Sequence, residues 1–116
     1  MRDFRKYEVW KLAVEFSVKV YKLTEEFPVS ESYGLSHQIR RATVSIASNI
    51  AEGASRSSEM DFCRFLEIAL GSAFEVETQM IIANKMSYLS MSTFDELTST
   101  LHAIQKMINQ LIHTIK

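Results

Sequence analysis

Two groups of basic residues carry the side chains in this sequence best suited to chemistry, and that chemistry is recognition of phosphate. One group is Arg40, Arg41 and Arg56; the other, at the N-terminus, is Arg2, Arg5 and Lys6. A guanidinium presents a planar fork of N–H donors that matches two phosphate oxygens at once, and local density of such groups sets affinity for a phosphate backbone. Residues for bond-making chemistry are not arranged to work together. A di-iron bundle needs Glu-x-x-His on two helices, but the residues three after Glu52, Glu59, Glu67, Glu75 and Glu96 are Ser55, Phe62, Leu70, Thr78 and Ser99. His37, His102 and His113 are far apart, and Cys63 has no second cysteine for a zinc site. A phosphate-cradling glycine loop and a G-x-S-x-G elbow are both missing from the sequence. The expectation is a protein with no catalytic residue, no metal ligand and no cofactor.

The elements that must position these arginines are helices. A single Pro and three Gly in 116 residues leave little punctuation, which favours a few long helices over many strands. Hydrophobic content of 47% with 23% charged residues describes a folded chain with room for one domain, residues 1–116. Apolar residues recur every three or four positions in four segments, approximately 5–26, 32–54, 58–86 and 92–115. Val9, Leu12, Phe16, Val20 and Leu23 mark the first, opposite a stripe of Glu8, Lys11, Glu15, Lys19, Lys22 and Glu26. That stripe reads as a self-neutralised face, Glu15 pairing with Lys19 and Lys22 with Glu26. Pro28 ends the segment. Leu35, Ile39, Ala42, Ile46 and Ile50 mark the second, with Gly53 read as its stop. Ser58 with Asp61 starts the third, and Ser92 or Thr93 the fourth. The fourth has the cleanest seam: Phe94, Leu97, Leu101, Ile104, Ile108, Leu111 and Ile115. Short connections make sequential helices antiparallel, so the expected fold is all-α, an up-down-up-down antiparallel four-helix bundle.

The third segment departs from a one-sided stripe. Phe62, Phe65, Leu66, Ala69, Ala73, Val76, Met80 and Ala83 face inward, while Phe74, Ile81 and Ile82 carry apolar character round to the solvent side. A surface helix apolar round its circumference needs a cover, so these three residues are expected at an interface between copies. The second segment is unusual in another way: Ser45, Ser48, Asn49 and Glu52 share one helix although Ser and Asn are poor interior helix formers. Asn49, Glu52 and Gly53 form a polar signature. Its two readings are a structural one, buried between helices with Gln38, Arg40, Arg41, Arg56 or Gln79 as partners, and direct ligand contact; the structural one is preferred.

The run YGLSHQIRRATVSIASNIAEGASRSS (Tyr33–Ser58) and its continuation DFCRFLEIALGSAFEVETQM (Asp61–Met80) resemble the bacterial four helix bundle protein family. First members of that family are encoded in intervening sequences of 23S ribosomal RNA genes, and relatives include accessory proteins of diversity-generating retroelements. The match runs through Tyr33, Gly34, Leu35, Gln38, Ile39, Arg40, Arg41, Ser45, Ile46, Asn49, Ile50, Ala51, Glu52 and Gly53. It resumes at Arg56, Phe62, Phe65, Leu66, Ala69, Gly71, Ser72 and Glu75. Ala47 stands where proline is common, and Ser87 where glycine is usual. The resemblance implies a closed ring of five copies, affinity for RNA or DNA, and a reverse transcriptase as partner.

Charge sets a limit on that implication. The net charge is −1, short of the basic balance of a dedicated RNA binder, so any phosphate site must be local. The alternative is a homo-oligomeric scaffold that binds protein and no nucleic acid. The longest charge-free run, Ala42 to Ala51, is too short to span a membrane. Charges interrupt the N-terminal MRDFRKYEVWK as they would not in a signal peptide, and the lone cysteine suits a reducing compartment, so the expected location is the cytoplasm.

Overall fold

The structure, a computed structural model, describes residues 2–116. Four long helices, α1 (Glu8–Thr24), α2 (Leu35–Ala54), α3 (Glu59–Lys85) and α4 (Met91–Ile115), pack as an up-down-up-down bundle measuring 43 × 24 × 19 Å. Single 3-10 turns at Phe4–Lys6 and Val29–Glu31 precede α1 and α2. Each helix packs on its two neighbours round the bundle, so α1 and α3 stand at opposite corners.

Local chemistry sets the helix ends. At the N-terminus the Asp3 carboxylate accepts the Arg5 N–H at 3.1 Å and nucleates the short turn. Tyr7 is extended, so α1 starts at Glu8 and not at Arg5, as the periodicity alone suggests. Ser58 caps α3 as expected, its hydroxyl accepting the Asp61 N–H at 3.0 Å. The cap of α4 is Ser90, upstream of the expected Ser92 or Thr93; it accepts the Thr93 N–H at 3.2 Å. Glu31 bridges two loops at one end of the bundle. One carboxylate oxygen accepts the Leu35 N–H at 3.1 Å, and the other accepts the Tyr88 hydroxyl at 2.9 Å. The hydrogen bond to that carboxylate, more than burial or the charge itself, raises the Tyr88 pKa above its ordinary value.

Ser87 terminates α3 in the left-handed region, at φ 65°. The Tyr88 N–H reaches the Ala83 carbonyl at 2.9 Å and the Ser87 N–H reaches Asn84 at 3.0 Å, the paired bonds of a Schellman motif. A β-carbon is strained in that conformation and glycine is not. Ser87→Gly is therefore expected to stabilise the protein by roughly 0.5–1 kcal/mol. A higher urea midpoint at unchanged slope is the result to look for, and a lower midpoint would contradict it.

The core is one continuous cluster. Phe16, Ile39, Ile46, Ile50, Phe62, Leu66, Met80, Leu101, Ile104 and Ile108 are fully buried in it, and the α4 seam lies on it throughout. Contact between α2 and α3 is the most intimate in the bundle. Gly53 is part of the reason. It does not stop α2, which continues to Ala54; it faces α3, where an added Cβ would lie 2.6 Å from the Phe65 Cβ and 3.1 Å from the Phe62 ring. Glycine here permits close approach of two backbones. Small polar residues line the same seam: the Ser45 and Ser72 hydroxyls are 2.9 Å apart, and the Asn49 amide donates to the Ser45 carbonyl at 2.8 Å and its hydroxyl at 2.9 Å.

Candidate nucleic-acid interface

Up-down-up-down topology brings the N-terminus and the α2–α3 connection to one pole of the bundle, and two arginines meet there. The Arg2 guanidinium donates to the Arg56 carbonyl at 2.6 Å and lies over the Phe62 ring, 4.7 Å from its centroid. Arg56 lies over Phe65 at 4.7 Å, with Arg64 against the same ring at 5.5 Å. Stacking on an aromatic face holds a guanidinium in place while leaving its donors open. Arg2, Ser55, Arg56 and Ser57 together line an open recess of about 540 Å³. Its walls present two guanidiniums, the Ser57 hydroxyl and no carboxylate, a donor set that suits a phosphate; the Ser55 hydroxyl already donates to the Glu52 carbonyl at 2.6 Å.

Neighbouring charges partly offset one another. Arg5 pairs with Asp3 at 3.2 Å and stacks on Phe4. The Arg5 backbone N–H, and after it the guanidinium, lower the Asp3 pKa. Arg64 pairs with Asp61 at 3.4 Å, and Lys6 is exposed. Among the described residues, Arg2 and Arg56 have no carboxylate partner. Ser55, Ser57 and Arg64 join the site without having been picked out from the sequence. The signal for them was the topology itself, which places the segment after α2 beside the N-terminus.

The grouping of Arg40 and Arg41 with Arg56 does not survive in three dimensions. Fifteen helical residues at 1.5 Å each put Arg41 about 20 Å from Arg56 along the bundle. Arg40 is half-buried and committed to α1: Nε donates to the Thr24 hydroxyl at 2.8 Å, a terminal nitrogen donates to the Tyr21 carbonyl at 3.3 Å, and the guanidinium lies over the Tyr21 ring. Arg41 is exposed beside a smaller recess it shares with Gln38, Ala42, Ser45 and Glu75.

The polar signature divides. Asn49 is half-buried and bonds only Ser45 of its own helix, not Gln38, Arg40, Arg41, Arg56 or Gln79, the partners expected for it, and Gly53 is the close-contact glycine of the α2–α3 seam. Glu52, expected between helices, is exposed, and among the described residues its carboxylate has no hydrogen-bond partner. Its position on the flank of α2, well off the Ile46–Ile50 stripe, turns it to solvent. Phe74, Ile81 and Ile82, expected at an interface between copies, are exposed on the single chain.

A second polar cluster bridges α3 and α4. Glu77 accepts the Gln105 amide at 2.8 Å and sits 3.0 Å from the His102 ring nitrogen. Those bonds, Gln105 first and His102 second, lower the Glu77 pKa. The cluster is an interhelical clasp; beside it runs an open surface groove along α4. Among the described residues no group of three or more His, Cys, Asp or Glu is gathered to hold a metal ion, and no helix is long and apolar enough to cross a membrane.

Fold and surface together define an all-α four-helix-bundle protein whose most basic feature is one pole. The chain belongs to the family of 23S rRNA-intervening sequence proteins, whose family model matches residues 5–110. Among solved structures it is similar to a protein with unknown function of the S23 ribosomal protein family from Bacteroides thetaiotaomicron VPI-5482. The two are 27% identical over 90% of this chain and 97% of that one, with a TM-score of 0.81. No curated protein matches the chain.

Proposed function

We propose that this protein is a non-catalytic homo-oligomer of the cytoplasm that holds the phosphate backbone of RNA or DNA against its basic pole. The observation that carries the reading is the meeting of Arg2 and Arg56, both stacked on aromatic rings, at a recess whose lining has no carboxylate. Near-neutral net charge is compatible with it, because phosphate binding depends on local density. Self-association supplies the rest. Cyclic symmetry about an axis along the bundles places every copy's pole on one rim, and a pair of arginines becomes a belt.

Phosphate contacts position a nucleic acid without reading its bases, so sequence preference should be slight. Affinity should fall steeply with salt. Two phosphates neutralised per copy give a log–log slope of about −1.8 on duplex, multiplied by the copies engaged. Titrating RNA and DNA across a salt series measures that slope. No retention of either at low salt would favour the scaffold that binds protein alone.

A further inference from the structure

The basic pole carries a second recess that phosphate binding leaves unused. It measures about 320 Å³ and is lined by Arg2, Asp3, Phe4, Arg5 and Ser55. Arg2 and Ser55 line the first recess too, so the two adjoin across a shared wall. Their chemistry differs. The first offers two guanidiniums and no carboxylate; the second holds the Asp3 carboxylate and an aromatic ring.

The N-terminal turn fixes that ring and the group that lies on it. Phe4 is half-buried against Trp10, whose ring meets it edge-on at 5.0 Å between centroids. The Arg5 guanidinium lies over the Phe4 ring, 4.5 Å from its centroid, and its ion pair with Asp3 at 3.2 Å holds it there. The Arg5 side chain is 70% exposed, so the stack ends in a guanidinium plane open to solvent. Unpaired nucleobases stack on such planes and on aromatic rings, whatever their sequence. Asp3 completes the contrast with the first recess. Both of its bonds to Arg5 use Oδ1, and among the described residues Oδ2 has no hydrogen-bond partner. A carboxylate oxygen repels a phosphate but accepts the N–H of a base edge.

We propose that the pole takes single-stranded nucleic acid, with a backbone phosphate in the Arg2–Arg56 recess and an unpaired base of the same strand on the Phe4–Arg5 stack. The inference rests on the phosphate reading above and adds the class of nucleic acid. A duplex keeps its bases stacked and paired, and turning one out has an energetic cost that a single strand largely escapes. Charge alone gives the opposite order, because duplex DNA releases more counterions per phosphate neutralised than a single strand does. Preference for the single strand is therefore the signature of the second recess.

A labelled DNA strand without self-complementarity, and the same strand annealed to its complement, test this on the full-length protein at one low salt concentration. The single strand should bind about tenfold more tightly than the duplex. Phe4→Leu keeps apolar packing on Trp10 and removes the ring beneath Arg5. It should lower single-strand affinity several-fold and leave duplex affinity unchanged. Arg5→Lys, at an exposed site, keeps the charge and loses the plane, so the gap between the two forms should narrow there as well. Circular dichroism confirms that each variant is folded. Duplex bound as tightly as single strand, or a single-strand preference that survives both variants, would overturn the base recess and leave the phosphate pole standing. Retention of neither form by the wild type would overturn the phosphate reading itself.

Discussion

Gly53→Val should remove roughly 3 kcal/mol of stability, a large share of what a domain of this size has. The first added atom would already lie 2.6 Å from the Phe65 Cβ, and that atom is fixed to the α3 backbone, so no rotamer change relieves the contact. Relief requires the two helices to part along the tightest seam of the bundle. Gly53→Ala meets the same first contact but gains up to about 1 kcal/mol of helix propensity, so its net loss should be smaller. Urea denaturation orders the three proteins as glycine, alanine, valine in falling midpoint. A midpoint for alanine above that of the wild type would mean that the seam relaxes freely and that Gly53 is not a contact glycine.

The other large effect is expected at Phe62. Its side chain is 1% exposed, packs against the Tyr7 ring at 5.9 Å between centroids, lies near Gly53 and carries the Arg2 guanidinium on one face. Phe62→Ala should cost about 3–5 kcal/mol through lost burial and the cavity left behind. It should also loosen Arg2, whose platform is gone, so nucleic-acid affinity should drop even at temperatures where the variant is fully folded. Phe62→Leu, which refills part of the space without an aromatic face, separates the effects: stability returns in part and affinity does not. Loss of stability with unchanged affinity would show that Arg2 needs no platform to act.

Much of this molecule can be read from its residues. The three-and-four spacing of Phe94, Leu97, Leu101, Ile104, Ile108, Leu111 and Ile115 describes α4 as it lies on the core, and Ser58 with Asp61 marks the start of α3. What escapes the sequence depends on which helix meets which. Gly53 near a helix end fits a stop and a close contact equally well, and only Phe65 across the seam decides between them. Lys19 has Glu15 four residues away yet pairs with Glu96 on α4 at 3.5 Å, because the neighbouring helix offers a carboxylate at the same height.

The candidate site was legible in its residues and not in its grouping. Arg56 follows Arg40 and Arg41 in the same family-like run, which suggests one patch. A helix of this length carries it to the other pole, where Arg2 waits. Fold topology, taken one step further, makes that pairing predictable: with four antiparallel helices, the N-terminus and the second connection share an end.

Binding of a labelled RNA at low salt by two charge variants, beside the wild type, is the most direct test of the basic pole. Arg2→Glu/Arg56→Glu should abolish retention, because it replaces the two guanidiniums that line the recess at the pole by two carboxylates in every copy. Arg41→Glu, at the far end of α2, should retain RNA to within a few-fold of wild type. Equal retention by wild type and the Arg2/Arg56 variant, or loss only in Arg41→Glu, would contradict the account and move the phosphate site away from the pole.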